Sequence, residues 1–69
     1  MKLSARNVLS GKVTAINEGV TTAHVKIEIG QGAVITASIT MEAVKELKLK
    51  VGDRASAIVK ASDVIVGKE

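Results

Sequence analysis

Residues 21–40 read TTAHVKIEIGQGAVITASIT, and the reading of this stretch decides the fold. In its first half Ala23, Val25, Ile27 and Ile29 alternate with Thr22, His24, Lys26 and Glu28. One face is apolar and the other polar, which is the period-two pattern of a half-buried strand. In its second half Ala33, Ile35, Ala37 and Ile39 again share a face. The two halves are joined by Gly30-Gln31-Gly32, and a short glycine-containing link between alternating runs predicts a hairpin. A phosphate-cradling loop would need a helix after the glycines, and here a second strand follows.

Downstream, TMEAVKELKL (40–49) is the one helical window, with Met41, Val44 and Leu47 at helical spacing. Thr40 is suited to cap its N-terminus. Glu42 falls in the first turn, and Lys45 and Lys48 come later, as the helix dipole prefers. Val51-Gly52-Asp53 then turns the chain into RASAIVKA (54–61), where Ala55, Ala57, Val59 and Ala61 share a face, and a last strand is expected over Val64–Val66. Upstream, residues 1–7 form an arm. Val8 to Ile16 is strand-like, interrupted by Gly11 where a bulge or bend would fit, and Asn17-Glu18-Gly19 marks a turn. The expected fold class is therefore all-β with one short helix. Five strands with a helix between the third and fourth is the layout of an OB-fold-like barrel. A small β-sandwich with swapped hairpins fits the same string.

Composition supports strands and points to assembly. The chain has ten Val, seven Ile and nine Ala but only four Leu, and no Phe, Tyr, Trp or Pro. β-Branched side chains are stiff in helices and pack well on pleated surfaces. Residues 1–69 read as a single domain, with no linker or low-complexity tract. A chain this short buries only about 60% of the surface its unfolded form exposes. With no Cys and a single His, disulfide and zinc supports are excluded, which leaves association between copies. No apolar run is long enough for a membrane span and no signal peptide is evident, so a cytoplasmic, membrane-free protein is expected.

Nothing in the sequence suits an enzyme. There is no Cys nucleophile, the carboxylates are scattered, and His24 sits on a strand's polar face, where a solvated imidazole is the ordinary explanation. The net charge of +3 favours anionic partners. Two tripeptides then stand out: Ser4-Ala5-Arg6 near one end of the chain and Lys60-Ala61-Ser62 near the other. Each sets a base, an alanine and a hydroxyl together. They are either two polar ends or two halves of one pocket. An oxyanion needs donors, and Arg, Lys, Ser and exposed backbone N–H groups supply them, while a small side chain lets the anion approach the backbone.

The segments SARN (4–7), GKV, TAHVKIEI, SIT, ELKLKVGD and AIVKASDV together resemble the molbindin (Mop) family of small molybdate- and tungstate-binding proteins. The likeness spans nearly the whole chain. It implies an OB-like barrel with strands swapped between protomers, and a homo-oligomer, a hexamer built as a trimer of dimers. It also implies a molybdate or tungstate ligand at subunit interfaces, with molybdenum held as the oxyanion, no direct protein ligand to the metal, and no cofactor. Carried over by motif, Ser4, Ala5 and Arg6 would contribute donors from side chain and backbone. Lys60, Ala61 and Ser62 would supply an ammonium, an amide and a hydroxyl. Thr40 of SIT would offer a hydroxyl from the neighbouring protomer, and Val20 a backbone contact. Asn7 belongs to the motif but is expected only to cap the turn into the first strand. One departure is Ala43, where many members carry a serine. The resemblance implies storage or homeostasis of the oxyanion.

The alternative is a nucleic-acid-binding protein, either OB-like or of the swapped-hairpin kind that VKELKLKVGDRASAIV (44–59) resembles. OB-fold proteins stack bases on aromatic side chains, of which this chain has none. Swapped-hairpin regulators precede the segment with an Arg- and Pro-containing stretch, and there is no Pro here.

Overall fold

The computed structural model describes residues 4 and 6–69. Four strands and one helix follow in the order β1 (Asn7–Glu18), β2 (Thr22–Gly30), β3 (Ala33–Thr40), α1 (Met41–Leu47) and β4 (Arg54–Val59). They form one antiparallel sheet in the order β3-β2-β1-β4, curled into a half-barrel. The hairpin expected at residues 30–32 is present. Gln31 and Gly32 both have positive φ, 50° and 80°, as a two-residue hairpin turn matched to strand twist requires.

The longest element, β1, holds two partners in succession. From Asn7 to Lys12 it pairs with β4, and from Lys12 to Glu18 with β2. Lys12 is the one position facing both, opposite Arg54 on one side and Glu28 on the other. The bulge expected at Gly11 lies instead at Thr14: Val13 opposes Ile27 and Ala15 opposes Lys26, so Thr14 is the extra residue. A bulge inverts the side-chain alternation beyond it. Val13 and Ile16, an odd number of residues apart, therefore both pack into the core. Gly11 serves a different purpose. It is buried, and a Cβ there would overlap the carbonyl oxygen of Glu28 and lie 2.8 Å from Cγ2 of Ile27. The interruption read from sequence is thus a close backbone approach, and the extra residue comes three positions later.

The core is small and aliphatic. Val13, Val25, Ile27 and Ala57 form its buried centre, flanked by Ile16, Ile29, Ile35, Ile39, Leu49 and Ala55. The apolar faces expected on the second and third strands are the ones that point inward, with Ala33 at the hairpin mouth the exposed exception. Helix α1 starts where expected. Thr40 is extended (φ −74°, ψ 152°) and its hydroxyl oxygen accepts from the Ala43 amide at 3.0 Å. The helix ends at Lys48 in the left-handed region, and Leu49 N–H donates to Val44 O at 3.0 Å. Val44 is its buried residue. The turn that follows is tied to the switch point of β1: Gly52 N–H donates to Val13 O (2.8 Å) and Val13 N–H to Asp53 O (2.9 Å).

Two expectations are corrected at the C-terminal end. The fourth strand stops at Val59 rather than running to Ala61, and Val64–Val66 forms no strand within this chain. A 3₁₀ turn over Ala61–Asp63 intervenes, closed by Asp63 N–H to Lys60 O at 2.9 Å and Val64 N–H to Ala61 O at 3.3 Å. This turn closes on those two local bonds and leads the chain off the sheet, so the tail has no strand alongside. Ile65 is 93% exposed and Val66 88%.

The Gly11 contacts generate a first prediction. Gly11→Ala is expected to destabilise the fold by about 1–3 kcal/mol, as overpacking does. Gly11→Val, which adds two more carbons against the Glu28 carbonyl, is expected to prevent folding. Urea midpoints measured by circular dichroism check this, and a Gly11→Ala midpoint equal to the parent's would show that the sheet opens there without cost.

Candidate oxyanion site

The register of β1 on β4 determines where the two basic tripeptides lie. Asn7 and Val59 form the last pair of an antiparallel ladder. The described residues before Asn7 and those after Val59 therefore leave the sheet at the same end. Ser4 and Arg6 continue one strand, Lys60, Ala61 and Ser62 the other, and all five are exposed. Ala5 lies outside the described residues. In the 3₁₀ turn the first backbone bond is donated by Asp63, and Lys60 makes no side-chain cap. The amides of Ala61 and Ser62 precede that first bond, so the turn itself leaves them without acceptors.

Asn7, expected as a local cap, bonds across the ladder instead. Its Nδ2 donates to the Val59 carbonyl at 3.1 Å, between residues 52 apart in sequence. Sequence reasoning missed this because the bond depends on the strand register, which residue spacing alone does not reveal.

Thr40 and Val20 lie elsewhere. Thr40 is the last residue of β3 and pairs with Thr22, the first of β2. Val20 is in the loop just before Thr22, 97% exposed, where Gly19 N–H donates to Thr22 O at 2.8 Å. Met41 N–H donates to Thr21 O at 2.9 Å and ties the start of α1 to this loop. Because β1 runs from Asn7 to Glu18, this second group occupies the opposite end of the sheet from the tripeptides. A straight strand of β1's length would span about 35 Å. One chain therefore sets the seven described residues among the eight expected at two ends of the sheet, not one. Ala43 lies in the first turn of α1, with its amide engaged by Thr40.

The chain's apolar concavity is a different feature. A trough of about 350 Å³ opens between the free edges of β3 and β4, lined among others by Val25, Ile27, Ile35, Ile39, Leu47 and Val59. Such walls offer a dianion few donors; the trough is the uncovered side of the barrel core. His24 is exposed on β2, opposite Asn17 and Ser38. Among the described residues no group of three or more His, Cys, Asp or Glu side chains could hold a metal ion. Among them, too, no helix is long and apolar enough to cross a membrane.

Known proteins share this fold. Residues 3–66 match the family model of the TOBE domain. A Haemophilus influenzae protein named "Probable molybdenum-pterin-binding protein" is 52% identical over 69 residues, all of both chains. A molybdate-binding protein from Sporomusa ovata superposes with a TM-score of 0.92 at 37% identity, over 99% of this chain and 100% of that one. The cytoplasmic molybdate-binding protein ModG, in a form with molybdate bound, superposes with a TM-score of 0.90 at 49% identity. That match covers 94% of this chain and 46% of ModG. The chain belongs to the TOBE-domain family and, within it, to the Mop group of molybdenum-pterin-binding proteins.

Proposed function

We propose that this chain binds molybdate or tungstate as the intact oxyanion, at sites shared between protomers, and acts as a cytoplasmic store that buffers the free ion. The observation that carries the reading is the Asn7–Val59 pair, which sends Ser4 and Arg6 out of the same end of the sheet as Lys60, Ala61 and Ser62. Arg6 and Lys60 bring the charge, Ser4 and Ser62 the hydroxyls, and the backbone around Ala5 and Ala61 the amides. Each charge-assisted hydrogen bond contributes about 1.5–3 kcal/mol, so a few of them hold a dianion at about micromolar affinity after desolvation and ordering costs.

The second cluster, Thr40 and Val20, joins the pocket from a neighbouring protomer, since its own chain holds it at the far end of the sheet. The tail fits the same arrangement. Val64, Ile65 and Val66 are exposed and apolar, and the trough between β3 and β4 lacks a cover. The tail of a neighbour completes the barrel as its fifth strand, and residues 1–69 act as one domain in a hexamer, a trimer of dimers.

A pocket without a carboxylate selects among anions by protonation. Molybdate, tungstate and sulfate are fully ionised at neutral pH and only accept hydrogen bonds. Hydrogen phosphate keeps a proton for which the proposed residues offer no carboxylate, only hydroxyl oxygens, the weaker acceptors. Relatives are named for molybdenum-pterin, but the oxyanion is the better ligand for this chain. A pterin ring is recognised by stacking, and the sequence has no Phe, Tyr or Trp. The same lack disfavours the nucleic-acid alternative. The reading assigns no catalysis.

Calorimetric titration tests the proposal. Molybdate is expected to bind at about micromolar affinity and hydrogen phosphate at least about tenfold more weakly at equal ionic strength. No heat with millimolar molybdate would sink the reading. Arg6→Ala and Lys60→Ala are each expected to weaken binding about tenfold or more, with the assembly size by light scattering unchanged. Retained affinity in both would remove the tripeptides from the site. Thr40→Ala is expected to lower stability by about 1 kcal/mol through the lost cap, and to weaken binding as well. Thr40→Ser, which keeps the hydroxyl, should spare both; a stability loss with unchanged affinity would leave Thr40 a cap alone.

A further inference from the structure

We propose that Asn7 is a positioning residue for the oxyanion site, holding in place the two chain ends that carry Ser4 and Arg6 on one side and Lys60, Ala61 and Ser62 on the other, without touching the ion. The inference rests on the oxyanion reading above.

Asn7 occupies the last rung of the β1–β4 ladder, opposite Val59. Beyond that rung the hydrogen bonds on the Val59 side are local ones, within the turn from Lys60 to Val64. Among the described residues, the Asn7 amide on the Val59 carbonyl is the one side-chain hydrogen bond that crosses from β1 to β4. It is half-buried, so water competes less for it than for a bond on the open surface. The last rung of a ladder is where pairing frays most easily. A bond at that rung fixes the spacing between Arg6 and Lys60, the immediate neighbours of the bonded pair in sequence. A binding constellation works only when its donors are held within about half an ångström of the productive geometry.

The chemistry of the residue fits the task. The amide donates to a carbonyl and carries no charge. A carboxylate in its place would lack the donor and would set a negative charge beside the oxyanion. A hydroxyl at this position would be shorter and would fall short of the carbonyl at the same strand spacing.

The test is a double-mutant cycle on the full chain, read by calorimetric titration with sodium molybdate. Asn7→Ala is expected to weaken binding about tenfold in the parent and less than about twofold in Lys60→Ala, where the ammonium it positions is already gone. In Thr40→Ala, whose hydroxyl belongs to the other cluster, Asn7→Ala should still cost the full factor. A purely structural role would lower affinity equally in every background, and that result overturns the proposal, as does an affinity that Asn7→Ala leaves unchanged. Should Asn7→Ala fail to fold, Asn7→Ser replaces it in the cycle: uncharged and too short to reach the Val59 carbonyl, it is expected to show the same dependence on Lys60. A parent that ignores molybdate defeats the oxyanion reading and this inference with it. A parent that binds, loses affinity on Lys60→Ala and is indifferent to Asn7→Ala defeats this inference alone.

Discussion

The architecture depends on one strand serving two neighbours. β1 pairs with β4 through its first half and with β2 through its second, exchanging one for the other at Lys12. A flat strand could not do this while keeping one apolar face turned inward. Gly11 removes the side chain that would collide with the Glu28 carbonyl, and Thr14 adds the residue that resets the alternation. The turn at Gly52 and Asp53 bonds to Val13 on both its N–H and its C=O, which locks the exchange in place. The curl of the sheet, the position of the trough and the common exit of the two chain ends all follow from that exchange.

The stability of the half-barrel is limited by its side chains. Among the described residues six hydrophobic ones are buried, none larger than isoleucine, and a trough remains open beside them. At 69 residues the margin is a few kcal/mol, on the order of 0.1 kcal/mol per residue. Exposed Val64, Ile65 and Val66 add apolar surface that a solitary chain leaves in water. Under the proposed assembly the deficit and the surplus cancel: the missing wall of one barrel is the unplaced tail of another. The same contact would build the anion pocket, so fold completion and ligand binding would share one interface.

Much of this was legible in the residues. The alternation through residues 22–40 specified a hairpin and its inward face, because a period of two admits one burial pattern. Thr40 announced the helix start by chemistry, and the cap bond to Ala43 bears it out. The tripeptides stand out in the residues, but composition alone leaves them as two polar ends or one pocket. Only the β1–β4 register sets Ser4 and Arg6 at the same end as Lys60, Ala61 and Ser62. What the residues did not disclose depends on register. Gly11 marked a disruption, but whether a glycine makes a bulge or admits a neighbouring backbone is decided by what lies across from it. The Thr14 bulge leaves no compositional trace. Val64–Val66 reads as a strand because its residues favour one, yet a strand needs an edge, and the preceding turn carries the tail away from the sheet. Asn7 looked local because its partner is near only after folding.

That last separation also bears on how the molecule reaches its folded state. The β1–β2 and β2–β3 ladders join neighbouring segments through short loops, whereas Asn7 meets Val59 only by closing a loop of 52 residues. Long loops cost more entropy to close and reward the chain late, so local hairpins precede them. The end of the sheet where Arg6 and Lys60 lie is thus expected to be the part of the topology assembled last. A ligand that requires both tripeptides would recognise the finished chain and not its partly folded precursors. By mass action it would draw the population toward completion, making the anion a folding partner as well as a cargo.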